Sequence, residues 1–517
     1  MCALSFFVSY FPSRSLNSQS FTRENKAVRL FQHTMAAAIL TSESTLKENL
    51  SLIVSQAKDW ALTHGILMRT QHFPSSSDVV SYAPFALFPS VIPKSLFNEA
   101  KLIQTDFNLL LHKVAHDHDF LQKSLKSVIA TDGFTQKLWD IYEAVYNNET
   151  KKYQPLCLGL FRSDYMLHFP QNDSVPSKVQ LKQIEINTIA SSFAGLAYNM
   201  VSLHRYTMSL LKLPFGEEQI PQNNCSEELS AGMVQAWDLY KKPEAAILFL
   251  ISSEERNIFD QRWLEYGVFK CNPTIATLRL TFQDIHDLGH VDEDNNLIVS
   301  GYEIGVVYFR SGYSPCSYKT QQDWDTRKMI ECSNAIKCPS VNYHLAGSKK
   351  IQQELSQPGV LEKFIPDPQK AQRLRKTFAK QYSLEMGLEG DEAIGEALKN
   401  INSFVLKPQR EGGGNNFFGK ELQSQLLKLK DSEERTSYIL MERVFPSPQR
   451  NVLIQPGKSV RFDDVISELG IYGVIIGEAG QVHYNKETGH LVRTKTLETD
   501  EGGIAAGFAV LDSPYFN

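Results

Sequence analysis

The period of the apolar positions changes several times along this chain, and each change marks an element. From Thr45 the stretch TLKENLSLIVSQAKDWA puts Leu50, Ile53, Val54, Ala57 and Ala61 on one face at helical spacing. Thr45 and Glu48 stand at capping-box spacing, so folded sequence is expected to begin there. KQIEIN, Lys182 to Asn187, alternates instead. As a strand it turns Ile184 and Ile186 one way, and Glu185 and Asn187 the other. AAILFLI, Ala245 to Ile251, is an apolar run of strand length, and SSEERNIFDQRWLEYG after it reads as a helix. TIATLRLTF and EIGVVYFR read as further strands, so an α/β unit is expected to start after YKKPEA.

Two charged segments, DPQKAQRLRKTFAKQYSLE and DEAIGEALKNI, look helical and lead into a strand, SFVLKPQR. Leu422, Leu426 and Leu429 then mark a short amphipathic helix, and SYILMERVF reads as another strand. The tail, HLVRTKTLETDEGGIAAGFAVLD, carries a loop of small residues behind Arg493 and Lys495. The chain shows no internal repeat, and 517 residues suit two to four domains.

Composition narrows the function. Hydrophobic residues make up 42% and charged residues 21%, as in an ordinary globular protein. A net charge of −5 argues against nucleic-acid binding through bulk positive charge. The longest apolar run is AAILFLI, far too short to span a membrane, so neither nucleic acid nor membrane is an expected partner. The seven cysteines, Cys2, Cys157, Cys225, Cys271, Cys316, Cys332 and Cys338, show no metal-ligand spacing; the one close pair, Cys332 and Cys338, reads as reduced thiols, with a regulatory disulfide as the competing view. The N-terminal stretch to Ala38 has many serines, several arginines and no acidic residue before Glu24, which fits an organelle transit peptide. Met35 offers a second start, from which a shorter cytosolic form is expected.

Three stretches carry candidate chemistry. In KPQREGGGNNFFG, Lys407 to Gly419, glycines let backbone N–H groups approach phosphate oxygens, Lys407 offers a point charge and Glu411 a hard oxygen for Mg²⁺. The same stretch is equally compatible with a slack hairpin. Glu185 and Asn187 form an oxygen pair suited to Mg²⁺, followed by the small residues of NTIASSFAG; the competing view is a solvated strand face. Tyr438 to Met441 form an apolar run that suits an adenine ring, or simply a core strand. Glu255, Asn257 and Gln261 after one strand, and Arg310 and Tyr313 after another, stand where ligands gather in α/β sheets, although turns and caps use the same residue types. With no Ser/His/Asp or Cys/His set and no HExxH, the pieces suggest catalysis by positioning and charge neutralisation.

QIEINTIASSFAGLA, ERNIFDQR, VVYFRSGY, LKPQREGGGNN, YILME, ISELGIYG and HLVRTK…GGIAAGFAVLDSPY together closely resemble eukaryotic glutathione synthetase of the plant type, from about residue 45 to the C-terminus. The resemblance implies an α/β (α+β) ATP-grasp fold and a homodimer. Residues 45–242 and 347–517 would form the catalytic region, with a mobile lid around 370–445. Residues 243–346 would be an inserted parallel α/β substrate domain, and 1–44 a chloroplast transit peptide or disordered leader. The implied reaction is ATP-dependent ligation of γ-glutamylcysteine to glycine through an acyl phosphate, releasing ADP and phosphate.

By resemblance, magnesium ligands fall on Glu185, Asn187 and Glu411, for two ions per subunit. Nucleotide contacts fall on Lys349, Lys407, Gly412, Gly413, Gly414, Asn416, Phe418, Met441, Glu442, Arg443, Val444, Glu468 and Lys495. Substrate contacts fall on Arg162, Ala190, Ser191, Ser192, Glu255, Asn257, Gln261, Arg310, Tyr313, Arg493, Ile504 and Ala505, and the catalytic set is Arg493, Arg162 and Lys407. Animal members that resemble this chain carry tyrosine where Phe418 stands, so a hydroxyl contact is lost there. Ala505 and Ala506 stand where legume homoglutathione synthetases carry a bulkier leucine–proline pair, which favours glycine over β-alanine. The competing functions are that β-alanine ligase and a nucleotide-binding regulator without catalysis.

Overall fold

The computed structural model describes residues 43–146, 153–170, 179–213, 215–216, 218–500 and 502–516. The expected leader, apart from its last two residues, and Met35 lie outside the described residues. The first helix, α1, spans Glu43–Thr63. It starts two residues before Thr45, so Thr45 lies inside the helix and is not its cap, because threonine followed three residues later by glutamate also fits an ordinary first turn. Ile53, Val54, Ala57 and Ala61 are buried, with Leu50 packed at the margin, as the spacing requires.

Helix α2, Lys94–Ala115, covers one face of the central sheet. The sheet contains β1, Cys157–His168, and β2, Gln180–Asn187, paired antiparallel. Helix α3, Ala194–Leu210, leaves the β2 end through a tight turn. Strand β3, Ala246–Leu250, follows and is buried along its whole length. Helix α4 runs from Ile258 to Cys271, so residues 252–257 are loop where helix was expected, and Asn257 is the N-cap residue. Strands β4, Thr277–Leu280, β5, Tyr302–Phe309, and β6, Ile336–Cys338, lie parallel with β3 in the order β4-β3-β5-β6. Parallel strands covered on both faces need continuous apolar runs, which AAILFLI supplies. Pairing of Lys337 with Cys157 joins this parallel set to β1, making one 13-stranded mixed sheet. Cys332 is half-buried and Cys338 is buried.

Helix α5, Lys349–Ser356, returns the chain towards β2. A separate three-stranded sheet follows, built from β7, Gln381–Ser383, β8, Phe404–Pro408, and β9, Tyr438–Glu442, with β9 in the middle. Only Pro368–Thr377 of the first charged segment is helical; the chain then straightens because Gln381–Ser383 pairs with β9. Helices Leu388–Lys399 and Gly419–Leu429 cover this sheet. Leu406, Leu440, Ile394, Ala397, Leu422 and Leu426 give it a core of its own. The last long strands are β10, Phe462–Glu478, and β11, Gln481–Thr496, a hairpin that pairs with β1 through β10. No helix among the described residues is long and apolar enough to cross a membrane.

Candidate active site

Register creates the site. In the strand order β2-β1-β10-β11, Asn187 pairs with Arg162 and Glu185 with Asp164, while Glu468 pairs with Arg493. Side chains two residues apart share a face, so the polar groups of four strands collect in one patch. A register shift between Asp164 and Tyr165 lets Ile184 stand unpaired beside Glu185. This bulge breaks the strict alternation, and Ile184 and Glu185 both face the cleft. The Ile184 carbonyl accepts a hydrogen bond from Lys407 Nζ at 2.8 Å.

The cleft lies between the large sheet and the three-stranded one, with a volume of about 770 Å³. Glu185, Asn187, Lys349, Lys407, Glu411, Glu468, Arg493 and Lys495 meet there from positions far apart in the chain. Lys349 is buried and its ammonium lies 3.3 Å from Glu185 and 2.9 Å from Glu411. Burial opposes the Lys349 charge, but the two carboxylates hold its pKa above the ordinary lysine value. Burial likewise opposes the Glu185 charge, yet Lys349, Lys407, Arg493 and Arg162 together hold it well below the usual carboxylate range. Glu411 goes the other way: burial and the neighbouring Glu185 push it up against the pull of Lys349. Burial also lowers Lys407, because Glu185 offsets only part of the desolvation and Lys349 repels it.

One end of the cleft is a slot for a flat apolar group. Ala379, Val405 and Met441 are buried there, with Ile184, Phe418 and Val444 packed against them. The Arg443 guanidinium stands 5.2 Å from the centre of the Phe418 ring and forms an ion pair with Asp500 at 2.7 Å. Gly412 and Gly414 have φ of 85° and 92°, which suits glycine. Gly413 abuts the second loop: a Cβ there would lie 3.0 Å from Gly503 Cα.

The opposite end is built on the turn Ala190–Phe193, where Ala190 and Phe193 adopt left-handed φ of 52° and 75°. Each such non-glycine residue costs roughly 1–2 kcal/mol, so the turn needs outside support. Arg310 donates to the Ala190 carbonyl at 2.5 Å and to Ser192 Oγ at 3.1 Å. Arg162 Nη1 and the Tyr472 hydroxyl donate to the Ser192 carbonyl at 3.1 and 2.5 Å. Asp260 accepts from the N–H groups of Phe193 and Gly195 at 2.7 and 2.8 Å.

Nearly all the expected site residues line this cleft, including Ala190, Ser191, Ser192, Glu255, Asn257, Tyr313, Asn416, Ile504 and Ala505. Gln261 does not; it is buried behind Glu255, donating to that carboxylate at 2.5 Å and accepting from Arg279 at 2.7 Å. Glu442 faces the groove on the other side of its strand and accepts from the Tyr382 hydroxyl at 2.8 Å. Gly414 also lies off the cleft wall. Asp164 and Asp260, both buried, escaped sequence reasoning. Nothing in the local pattern sets either apart, because polar residues adjoin both: Arg162 and Ser163 beside Asp164, Gln261 and Arg262 beside Asp260.

For a divalent cation the donors are oxygens. The Asn187 Nδ2 group is committed to Asp164 at 2.8 Å, which leaves its carbonyl oxygen for the cleft beside Glu185 and Glu411. Two carboxylates and an amide oxygen fit Mg²⁺, and the Lys349 ammonium neutralises the same two carboxylates.

Two sheets closing on a cleft lined by buried lysines, acidic oxygens and glycine loops have the architecture of an ATP-grasp carboxylate–amine ligase. A family model described as eukaryotic glutathione synthase, ATP binding domain, matches residues 47–516. The glutathione synthetase of Homo sapiens is 48% identical over 470 residues, covering 91% of this chain and 97% of that protein. The chloroplastic glutathione synthetase of Solanum lycopersicum is 39% identical over 471 residues, covering 90% and 84%. A solved apo structure of a glutathione synthetase-like effector from Globodera pallida superposes with a TM-score of 0.73 at 25% identity, covering 91% of this chain and 97% of that one. The chain belongs to the eukaryotic glutathione synthase family.

Proposed function

We propose that this cleft joins γ-glutamylcysteine to glycine at the expense of ATP, with Mg²⁺ held by Glu185, Asn187 and Glu411. The observation that carries the reading is the meeting of those three oxygens with Lys349 and Lys407 between an apolar slot and an arginine-lined end. Adenine occupies the slot formed by Val405, Met441 and Val444. Lys407 and Lys349 lie against the phosphates, and both gain by facing anions in a site that desolvates them. The cysteinyl carboxylate of γ-glutamylcysteine takes the γ-phosphoryl group, the glycine amine attacks the resulting acyl phosphate, and phosphate departs. Arg493 and Arg162 offset negative charge at the reacting carboxyl. Mg²⁺, when bound, neutralises phosphate charge and aligns the transferred group. The glycine loops around Gly413 and Gly503 exclude water from the acyl phosphate.

Residues 370–445, with their separate sheet and core, would swing as a lid over the remaining body, and 243–346 would supply the γ-glutamyl end through Glu255, Asn257, Arg310 and Tyr313. The active form would be a homodimer, tested by sedimentation. The serine- and arginine-rich leader supports import into a plastid, with a cytosolic form from Met35; fluorescent fusions of both forms test this. The central experiment is ATP hydrolysis with γ-glutamylcysteine plus glycine or β-alanine. ADP release that needs both γ-glutamylcysteine and glycine supports the reading. Release indifferent to either substrate overturns it, and preference for β-alanine replaces glycine as the acceptor.

A further inference from the structure

We infer that Asp164, which does not line the cleft, is the positioning residue that orients Arg162, Arg493 and the Asn187 amide together. Its carboxylate is fully buried on β1. Oδ1 accepts from Arg162 Nε at 2.6 Å. Oδ2 accepts from Arg162 Nη2 at 2.9 Å, Asn187 Nδ2 at 2.8 Å and Arg493 Nη2 at 3.0 Å. Four donors from three strands thus converge on one side chain.

Each bond has a different consequence. The two contacts to Arg162 are bidentate, which fixes the plane of the guanidinium. Its remaining nitrogen then reaches the Ser192 carbonyl at 3.1 Å, bracing the strained turn. The bond to Arg493 shares that guanidinium between Asp164 and Glu468. The bond to Asn187 settles which end of the amide faces the cleft. Only the NH₂ end can face a carboxylate, so the oxygen is turned to the side where Glu185 and Glu411 stand. A reversed amide would set two oxygens against each other and offer the cleft a donor, which cannot ligate a cation.

Gly470 gives independent support. It pairs with Asp164 across β10 and β1. A Cβ there would lie 2.7 Å from Asp164 Oδ1 and 2.8 Å from Arg162 Cδ. Its φ lies outside the left-handed range, so the glycine meets a demand for space and not for an unusual backbone. The neighbouring strand is thus hollowed out where this carboxylate–guanidinium pair lies.

The Asn187 part of this inference rests on the magnesium reading above; the arginine part does not. The test compares the full chain with Asp164→Asn and Gly470→Ala. The first removes the charge and keeps the shape; the second keeps the charge and crowds it. Mn²⁺ is titrated in the presence of ADP, with the free ion followed by electron paramagnetic resonance, and the KM for γ-glutamylcysteine is measured separately. Loss of one partner that orients a ligand typically weakens metal binding about 10–100-fold. Both variants should weaken Mn²⁺ binding by at least about 10-fold and raise the KM by a similar factor. A merely structural role would lower the melting temperature and leave both values alone in the folded fraction. A folded variant with wild-type Mn²⁺ affinity and wild-type KM overturns the proposal. Asn187→Ala separates the two readings: if it leaves Mn²⁺ affinity unchanged, the metal assignment fails, and the KM for γ-glutamylcysteine alone judges Asp164. Should Asp164→Asn not fold, Gly470→Ala carries the test.

Discussion

Lys349 lies between two carboxylates in a buried cluster, and replacing it with methionine exposes what that cluster costs. The ammonium stands 3.3 Å from Glu185 and 2.9 Å from Glu411. At an effective dielectric of about 20 those separations correspond to gross attractions of about 5 and about 6 kcal/mol. Desolvating the ammonium cancels several kcal/mol of this, so the net loss on breaking such a buried arrangement is about 3–5 kcal/mol. Lys349→Met keeps the side-chain volume and leaves Glu185 and Glu411 facing each other without the ammonium that lies between them. Urea unfolding in metal-free buffer should therefore show a lower midpoint for the variant at an unchanged slope. Saturating Mg²⁺ should return much of the loss, because a divalent ion replaces the missing charge. At 100 times its dissociation constant a ligand stabilises by about 2.7 kcal/mol. The wild type should gain less, since its carboxylates are already neutralised. An unchanged midpoint in metal-free buffer, or an equal gain from Mg²⁺ in both proteins, would refute the reasoning.

Gly413→Ala should slow turnover by roughly 10-fold, in line with a 1–3 kcal/mol clash, because its Cβ would meet Gly503 Cα at 3.0 Å and keep the two loops apart; unchanged kcat would rule out loop contact as a requirement. Glu411→Ala should cut kcat by about 10²-fold or more while the fold survives, as expected when an oriented charge is lost from a site; near-normal activity in excess Mg²⁺ would remove it from the metal site. Burial lowers His112 and His204 to about 4, and His344 and His490 to about 3. Each stays neutral in the folded state while the unfolded chain takes up protons near 6.5, so stability is full above that pH and falls as pH drops towards 4. At pH 5.5 each should cost about 1.4 kcal/mol, and urea midpoints flat from pH 7.5 to 5.5 would contradict this. Replacing Ala505 and Ala506 with leucine and proline should raise the preference for β-alanine over glycine by about 10-fold in kcat/KM, the scale of a methylene-sized change in a pocket; an unchanged ratio would move the specificity elsewhere.

Local pattern was enough for most elements. The helical spacing of Leu50 to Ala61, the unbroken apolar run Ala246–Leu250 and the leucines of Gly419–Leu429 were legible because burial on one face or both leaves a period in the sequence. Boundaries were less legible. Ser252–Asn257 is loop and Gln381–Ser383 is strand because partners distant in sequence, Arg69 for the first and β9 for the second, claim the backbone. For the site, residue types at Glu185, Asn187 and Glu411 pointed to a cation, and the family motifs assigned them together. Gln261 kept its place in the motif but lies behind Glu255, because a motif records identity and not which way a side chain points.

By itself the sequence determined the periodic elements, the balance of charge that argues against bulk nucleic-acid binding, and the residue types available for phosphate and metal. Only the tertiary structure decided the bulge at Ile184, the shared carboxylate of Asp164 and the contact of Gly413 with Gly503. Each depends on strand register and on the approach of segments more than twenty residues apart. Those are set by the packing of two sheets, which no local period encodes.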